Sequence, residues 1–151
     1  MTNSLKNKIH QHCINIINKQ IAKVKLALNN AQEGANNETK SSAGDKHETG
    51  RAMAQLETEK LSTQLNKNEQ LLTQLFKIDT SAQLQKIGVG SLVKTNNGLF
   101  YIAIGLGKIN IEEESVFVIS TQSPIGKLLL NKKEKVSFSF NNVFYSIEKI
   151  D

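Results

Sequence analysis

Two carboxylates, Asp45 and Glu48, stand three residues apart in the stretch SSAGDKHETGRA at residues 41–52. Asp followed three residues later by Glu is the pattern of a helix N-terminal capping box, in which the two side chains satisfy free backbone N–H groups. The same spacing puts both carboxylates on one helix face, where they can jointly hold a hard divalent cation such as Mg²⁺. The residues alone leave both interpretations open, a helix cap or a pair of metal ligands.

A metal bound by this pair would have to be shared, because two carboxylates do not make a high-affinity site by themselves. Phosphoryl chemistry of that type uses two ions about 4 Å apart to stabilise the attacking and leaving oxygens. Three cationic residues, Lys40, Lys46 and Arg51, flank the pair. They are either part of an ordinary solvated loop or groups that neutralise the phosphates of a nucleic acid.

A second group with possible chemistry is His10, His12 and Cys13. His10 and Cys13 share a helix face, but His12 points elsewhere, and structural zinc sites need four ligands at recognisable spacing. A Cys–His nucleophile is formally possible, although the chain is too small to add an acyl-binding tunnel. We interpret all three as helix-surface residues near the base of a helical hairpin, and we expect no tightly bound cofactor of the protein's own.

The composition limits the possible classes of protein. The chain has 151 residues, one cysteine and a net charge of +5. It therefore forms one medium or two small domains, has no intrachain disulfide, and fits a reducing cytoplasm with an anionic partner. The N-terminus has no signal-peptide pattern, and no stretch approaches the roughly 20 apolar residues that cross a bilayer, so we expect no membrane association.

The first half of the chain carries two heptad seams. Steps of three and four residues predict two helices of about 35 residues, and the polar segment at residues 34–50 predicts the turn between them, with its tip near Gly44. The first seam comprises Ile14, Ile17, Ile21, Val24, Leu28, Ala31 and Ala35. The second comprises Ala54, Leu61, Leu65, Leu72 and Leu75, with interruptions at Thr58 and Asn68.

Near residue 80 the hydrophobic period changes to two. Strands are expected on both sides of Asn97-Gly98, in SVFVIS, and on both sides of Asn141-Asn142, whereas SPIGKLLL predicts a short helix capped by Ser123. The glycines of IGVGS and IGLGK fit strand bends and turns and not phosphate loops. The fold class is therefore α+β: an antiparallel helical hairpin at residues 1–79, then a small antiparallel sheet domain with one short helix at residues 80–151.

This order of parts resembles the bacterial Gre transcript-cleavage factors (the GreA/GreB family) over essentially the whole chain. The most specific element is the C-terminal run SPIGKLLLNKKEKVSF, with Gly90-Ser91 and Ile119-Ser120 before it. In that family the tip motif reads Gly-Asp, two residues, then Glu, which Gly44-Asp45 and Glu48 match. The resemblance implies that the C-terminal domain is FKBP-like and docks on RNA polymerase, with Ser123, Pro124, Ile125, Gly126 and Lys127 as candidate docking residues.

The resemblance implies a function in which the polymerase carries out the chemistry and this protein supplies two ligands. The helical tip would enter the secondary channel, where Asp45 and Glu48 would help to hold a second Mg²⁺ and a water at the polymerase's active centre. The backtracked transcript would then be hydrolysed near the 3′ end of the nascent RNA. Lys40, Lys46 and Arg51 would contact that RNA. On this view the protein is a cytoplasmic accessory factor that stimulates a hydrolytic activity in trans, and not an enzyme.

The tip departs from the family pattern at three positions. The family usually has Ser before the Glu, Asn after it and an aromatic residue shortly downstream, where this chain has His47, Thr49 and Ala52. A non-cleaving regulator of the same channel is therefore an alternative. A third hypothesis is a free-standing FKBP-like isomerase or chaperone, which would need an aromatic-lined proline pocket. Its candidate lining residues are Phe100, Tyr101, Phe117, Phe138, Phe140, Phe144 and Tyr145.

Overall fold

A computed structural model of the chain describes residues 2–39 and 44–151, and the side chains of residues 5–34 and 48–151. It begins with two long helices, α1 at Thr2–Thr39 and α2 at Gly44–Phe76. The predicted helical hairpin is confirmed, and neighbouring helices joined by so short a segment run antiparallel. Within the segment predicted as a turn at residues 34–50, the described residues are helical, because α1 continues to Thr39 and α2 begins at Gly44; residues 40–43 lie outside the description.

The middle parts of the two helices form one compact unit, Asn15–Leu72, called the helical unit below. Its buried side chains are Ile17, Ile21 and Leu61 among the residues described. The other seam positions in this unit are half-buried: Val24, Leu28, Ala31, Ala54, Thr58, Leu65, Asn68 and Leu72. Both seams are confirmed at their described positions, and the two polar interruptions lie within the second one; the side chain of Ala35, the last position of the first seam, lies outside the described side chains.

The second compact unit contains the sheet, and we call it the sheet unit. It comprises Met1–Ile14 and Thr73–Asp151, so the start of α1 groups with the sheet, whereas the linear division of the sequence at residue 79 assigned it to the hairpin. The strands are β1 Leu92–Thr95, β2 Gly98–Ile102, β3 Gly107–Ile111, β4 Glu114–Ile119, β5 Ser137–Phe140 and β6 Val143–Ile150. A short helix, α3 at Pro124–Leu129, lies between β4 and β5.

The six strands form one sheet in the order β3-β4-β2-β1-β6-β5. The prediction of a purely antiparallel sheet is wrong, because β2 pairs with β4 in parallel. The reason is β3, an edge strand that the sequence analysis did not predict. The β3–β4 hairpin reverses the chain, and β4 then returns beside β2 in the same direction. The signal was present in the alternating Ile109 and Ile111, both buried.

The predicted turns are present with one adjustment. Asn141 and Asn142 have φ of 52° and 64°, which is the two-residue turn that joins β5 to β6. In the first hairpin Thr95 pairs with Gly98, so the loop is Asn96-Asn97, one residue earlier than predicted. Gly98 supplies the positive φ, 115°, which glycine adopts without the cost that other residues bear.

The sheet is covered by helices on both faces. On one face α3 contributes Leu129, which is fully buried, to the main core; the other members of this cluster are Ile87, Val93, Phe100, Ile102, Ile147 and Ile150. Side chains alternate along a strand, so Tyr101 on β2 points to the opposite face. There it meets His10 of α1. No helix in the described part of the chain, residues 2–39 and 44–151, is long and apolar enough to span a membrane.

Candidate functional site

The acidic pair lies at the beginning of α2. The helix starts at Gly44, so positions 45 and 48 both fall in its first turns and, at a spacing of three, on one face. The Asp45 side chain lies outside the described side chains, and both interpretations of the pair, a helix cap or metal ligands, stay predictions. Glu48 is exposed. Negative charge at a helix N-terminus is stabilised by the helix dipole, so this placement needs no metal to be stable.

The predicted nucleic-acid contacts are only partly described. Lys40 lies outside the described residues, and Lys46 belongs to α2. Arg51 is exposed on the same helix. Within the described residues no three His, Cys, Asp or Glu side chains form a group that could hold a metal ion. The side chains of Asp45 and Lys46 lie outside the described side chains, so this finding does not extend to the acidic pair.

The candidate docking segment forms the start of α3. Ser123 caps this helix as predicted: its Oγ accepts a hydrogen bond from the Gly126 N–H at 3.1 Å and donates one to the Ser120 carbonyl at 2.8 Å. Pro124 occupies the first turn. Gly126 is required sterically, because a Cβ there would lie 2.0 Å from the Ser120 oxygen.

These contacts separate the five candidate docking residues into two groups. Ser123 and Gly126 shape the turn, and Ile125 packs against the main core. Pro124 and Lys127 are exposed. Of the five, those two offer the most surface to a partner.

A cavity of about 560 Å³ lies beside this turn, within the sheet unit. Its wall includes Ser120, Thr121 and Gln122, the three residues before the cap, together with the segment that follows α2. In that segment the Asp79 carboxylate accepts hydrogen bonds from the backbone N–H and Oγ of Ser81 at 3.0 and 2.6 Å, which lower its pKa. The cavity combines apolar and polar lining and has a size typical of binding pockets.

Of the three residues interpreted as helix-surface residues, His10 and His12 are half-buried, and the interpretation of Cys13 was wrong. Cys13 is fully buried, and burial raises the pKa of its thiol to about 12. Such a thiol is not a nucleophile at neutral pH. The missed signal is that Ile9 and Cys13 continue the first seam toward the N-terminus, with Lys6 interrupting the apolar pattern.

Two polar side chains hold the start of α1 against other parts of the sheet unit. His10 Nδ1 lies 2.8 Å from the Tyr101 hydroxyl. Burial raises the pKa of that phenol and lowers the pKa of the imidazole, so we assign the phenol as donor to a neutral ring. Lys6 is fully buried and donates from Nζ to the Ala82 carbonyl at 3.0 Å. Burial lowers the pKa of Lys6 as well, against the attraction of Asp151 and Asp79. The hydrogen bonds of His10 and Lys6 are structural contacts, and they account for the placement of these two polar side chains inside the sheet unit.

The aromatic residues of the sheet unit pack mainly on one another. Phe100 stacks on Phe117 with ring centroids 5.5 Å apart, and Phe138 stacks on Tyr145 at 5.2 Å. Neither the 560 Å³ cavity nor a smaller one of about 230 Å³, lined in part by Leu5 and Leu99, has an aromatic residue in its wall. The arrangement gives the isomerase hypothesis no support at these two cavities.

Comparison with known proteins adds little to this geometry. No protein-family model and no curated protein matches the chain. A solved structure of the transcription factor Gfh1 is similar at 17% identity, covering 91% of this chain and 92% of that one. Its TM-score of 0.37 is too low to support an argument about fold or function.

Proposed function

We propose that this chain is a Gre-like transcription elongation factor that stimulates RNA polymerase to cleave backtracked transcripts. The observation that carries the proposal is the Gly44-Asp45-x-x-Glu48 motif, in a chain whose C-terminal half contains the SPIGK turn. The fold is consistent with it, since the motif opens the second helix of a hairpin and the SPIGK turn belongs to an α+β unit. The partners are RNA polymerase and the 3′ end of its nascent RNA.

The donor set fits a shared magnesium ion. Carboxylate oxygens are preferred Mg²⁺ ligands, and Mg²⁺ is commonly held by one or two carboxylates with other groups completing its shell. When bound, the ion supplies electrostatic stabilisation to the oxygens of the reacting phosphate. The role of this chain is to position Asp45 and Glu48 on adjacent turns of one helix, while Lys46, Arg51 and Lys40 balance the charge of the RNA.

The direct test is cleavage of a stalled elongation complex formed by the polymerase of the same organism. We expect Asp45→Asn and Glu48→Gln each to abolish stimulated cleavage, because each replaces a charged ligand with a neutral amide of the same shape. Binding to the polymerase and thermal stability should change little, since both positions are at the end of a helix. Glu57→Gln, at an exposed position further along α2, is the matched control and should cleave like the wild type.

A different result would identify the alternative role of the pair. If the two variants lost stability but still stimulated cleavage, the carboxylates would serve the helix terminus and the metal role would be wrong. Failure of the wild-type chain to bind the polymerase in a pull-down would reject the whole proposal.

The second candidate is a non-cleaving regulator of the same channel. It is favoured by one observation, the replacement of the usual neighbours of the Glu by His47 and Thr49. Slower RNA synthesis without cleavage products, in the same assay, would select this function. The double change His47→Ser and Thr49→Asn should then produce cleavage, if those two residues are what distinguish the two activities.

A further inference from the structure

Four lysines meet at one corner of the sheet unit, although one is distant from the others in sequence. Two backbone hydrogen bonds bring them together: Ile87 N–H donates to the Lys132 carbonyl at 2.9 Å, and Asn131 N–H donates to the Ile87 carbonyl at 2.8 Å. Lys86, next to Ile87, is thereby placed beside the loop that follows α3. We call this set the lysine corner; it consists of Lys86, Lys132, Lys133 and Lys135.

The backbone of the lysine corner is held in place on both sides. Lys135 N–H donates to the Ile147 carbonyl at 2.7 Å, and Ile147 N–H donates to the Val136 carbonyl at 2.9 Å. Lys135 also has a φ of 69°, a conformation that costs a residue with a side chain about 1 kcal/mol or more. The loop therefore presents its cations from a defined backbone and not from a mobile segment.

The four lysines of the lysine corner outnumber the two acidic residues next to its backbone, Glu134 and Glu148. Glu134, the only acidic residue inside the loop, directs Oε1 to the Ile150 N–H at 3.1 Å. The other acidic neighbour along the paired backbone is Glu148, beside Ile147. No ion pair involving the four lysines occurs within the described part of the chain. Three of them are exposed, and Lys132 is half-buried.

We propose that the lysine corner is a binding surface for the phosphodiester backbone of a nucleic acid. Lysine ammonium groups act as strongly hydrated point charges. They can neutralise phosphates spaced along a strand without the fixed bidentate geometry of an arginine guanidinium. An acidic protein surface is the other polyanion, but paired recognition of carboxylates favours arginine, and the corner has none. This surface is independent of the acidic pair at the start of α2, so the inference does not depend on the cleavage function.

The test measures binding of the full chain to nucleic acid without polymerase, by fluorescence anisotropy at several salt concentrations. The probes are a labelled 20-base-pair DNA duplex and a labelled 20-nucleotide single-stranded RNA. The test variant is K86Q/K132Q/K133Q/K135Q. The charge-matched control is K19Q/K23Q/K60Q/K67Q, which removes four exposed lysines from the helical unit.

Four phosphate contacts predict a slope of log K against log salt that is shallower by about 3.6 for duplex DNA, or about 2.8 for single-stranded RNA, in the test variant. Replacing the same four lysines with arginine should retain binding, which excludes misfolding as the cause of the loss. The control should keep the wild-type slope on the probe that binds, and the wild-type affinities for the two probes at the same salt concentration show whether duplex or single strand is preferred.

Three results would overturn the proposal. The wild type could fail to bind either probe at 50 mM salt, the two glutamine variants could lose equal affinity, or polyglutamate could bind to the lysine corner while both nucleic acids do not. Equal losses would mean that the net charge alone drives the interaction. Binding of polyglutamate alone would assign the corner to an acidic protein.

Discussion

The helical unit and the sheet unit bury their side chains to very different degrees. In the helical unit, Ile17, Ile21 and Leu61 are the buried residues among those described, and the rest of the seam is half-exposed. The sheet unit instead buries whole side chains from β1, β2, β4, β6, α3 and the start of α1. A helical pair needs only a narrow apolar stripe, whereas a sheet covered on both faces must fill two interiors.

This difference bears on where function can be placed. The candidate ligands, Asp45 and Glu48, belong to the first turns of α2, and Glu48 is exposed. The candidate docking turn is different, because Ser123 and Gly126 also hold α3 in place. Substitutions at the acidic pair should therefore separate function from stability, whereas substitutions in the docking turn should affect both.

The largest effect should come from truncating the same side chain in each unit. Leu129→Ala removes a fully buried side chain from the main core and should lower the free energy of unfolding by about 2–5 kcal/mol. Leu65→Ala, at a half-buried seam position, should cost about 1 kcal/mol. Urea unfolding can be followed by tyrosine fluorescence, since Tyr101 and Tyr145 both lie in the sheet unit, and by circular dichroism. Equal losses of unfolding free energy in the two variants would show that the two units gain equal stability from burying a leucine.

A smaller effect should appear as a pH dependence that belongs to the sheet unit. Burial lowers the pKa of His10 below its ordinary 6.5 in the folded state, so the unfolded chain binds more protons just below pH 6.5. Stability is therefore complete above pH 6.5 and falls as the pH drops toward the folded value, by at most about 1.4 kcal/mol per pH unit. His10→Gln should flatten this slope in urea titrations from pH 7.5 to 5. An unchanged slope in this variant would remove His10 as the cause.

The smallest effect should be a gain of stability in the helical unit. Asn68 interrupts the second seam and is half-buried, so Asn68→Leu adds apolar burial and removes a polar group from the stripe. We expect a gain below about 1 kcal/mol, seen by circular dichroism and not by tyrosine fluorescence. A shift of the same size in both signals would mean that the two units unfold as one and would end the distinction between them.

Local pattern explains why the helices, most strands, the cap of α3 and the Asn141-Asn142 turn were predictable. Each depends on residues within a few positions of one another: a repeat of three and four, an alternation of two, or a serine followed by proline. The acidic pair was found for the same reason, because its spacing is itself the signal. The local pattern did not predict β3, whose five residues lie between two turns.

The sequence by itself therefore determined the helical hairpin, the α+β class and the acidic pair that the proposed function uses. Only the tertiary structure decided that β2 and β4 are parallel, that Cys13 is buried, that His10 meets Tyr101, and that Lys86 joins the loop after α3. The physical reason is that each of these depends on a contact between segments far apart in the chain; His10 and Tyr101, for example, are 91 positions apart. Such contacts follow from which faces pack together, and local spacing does not specify that.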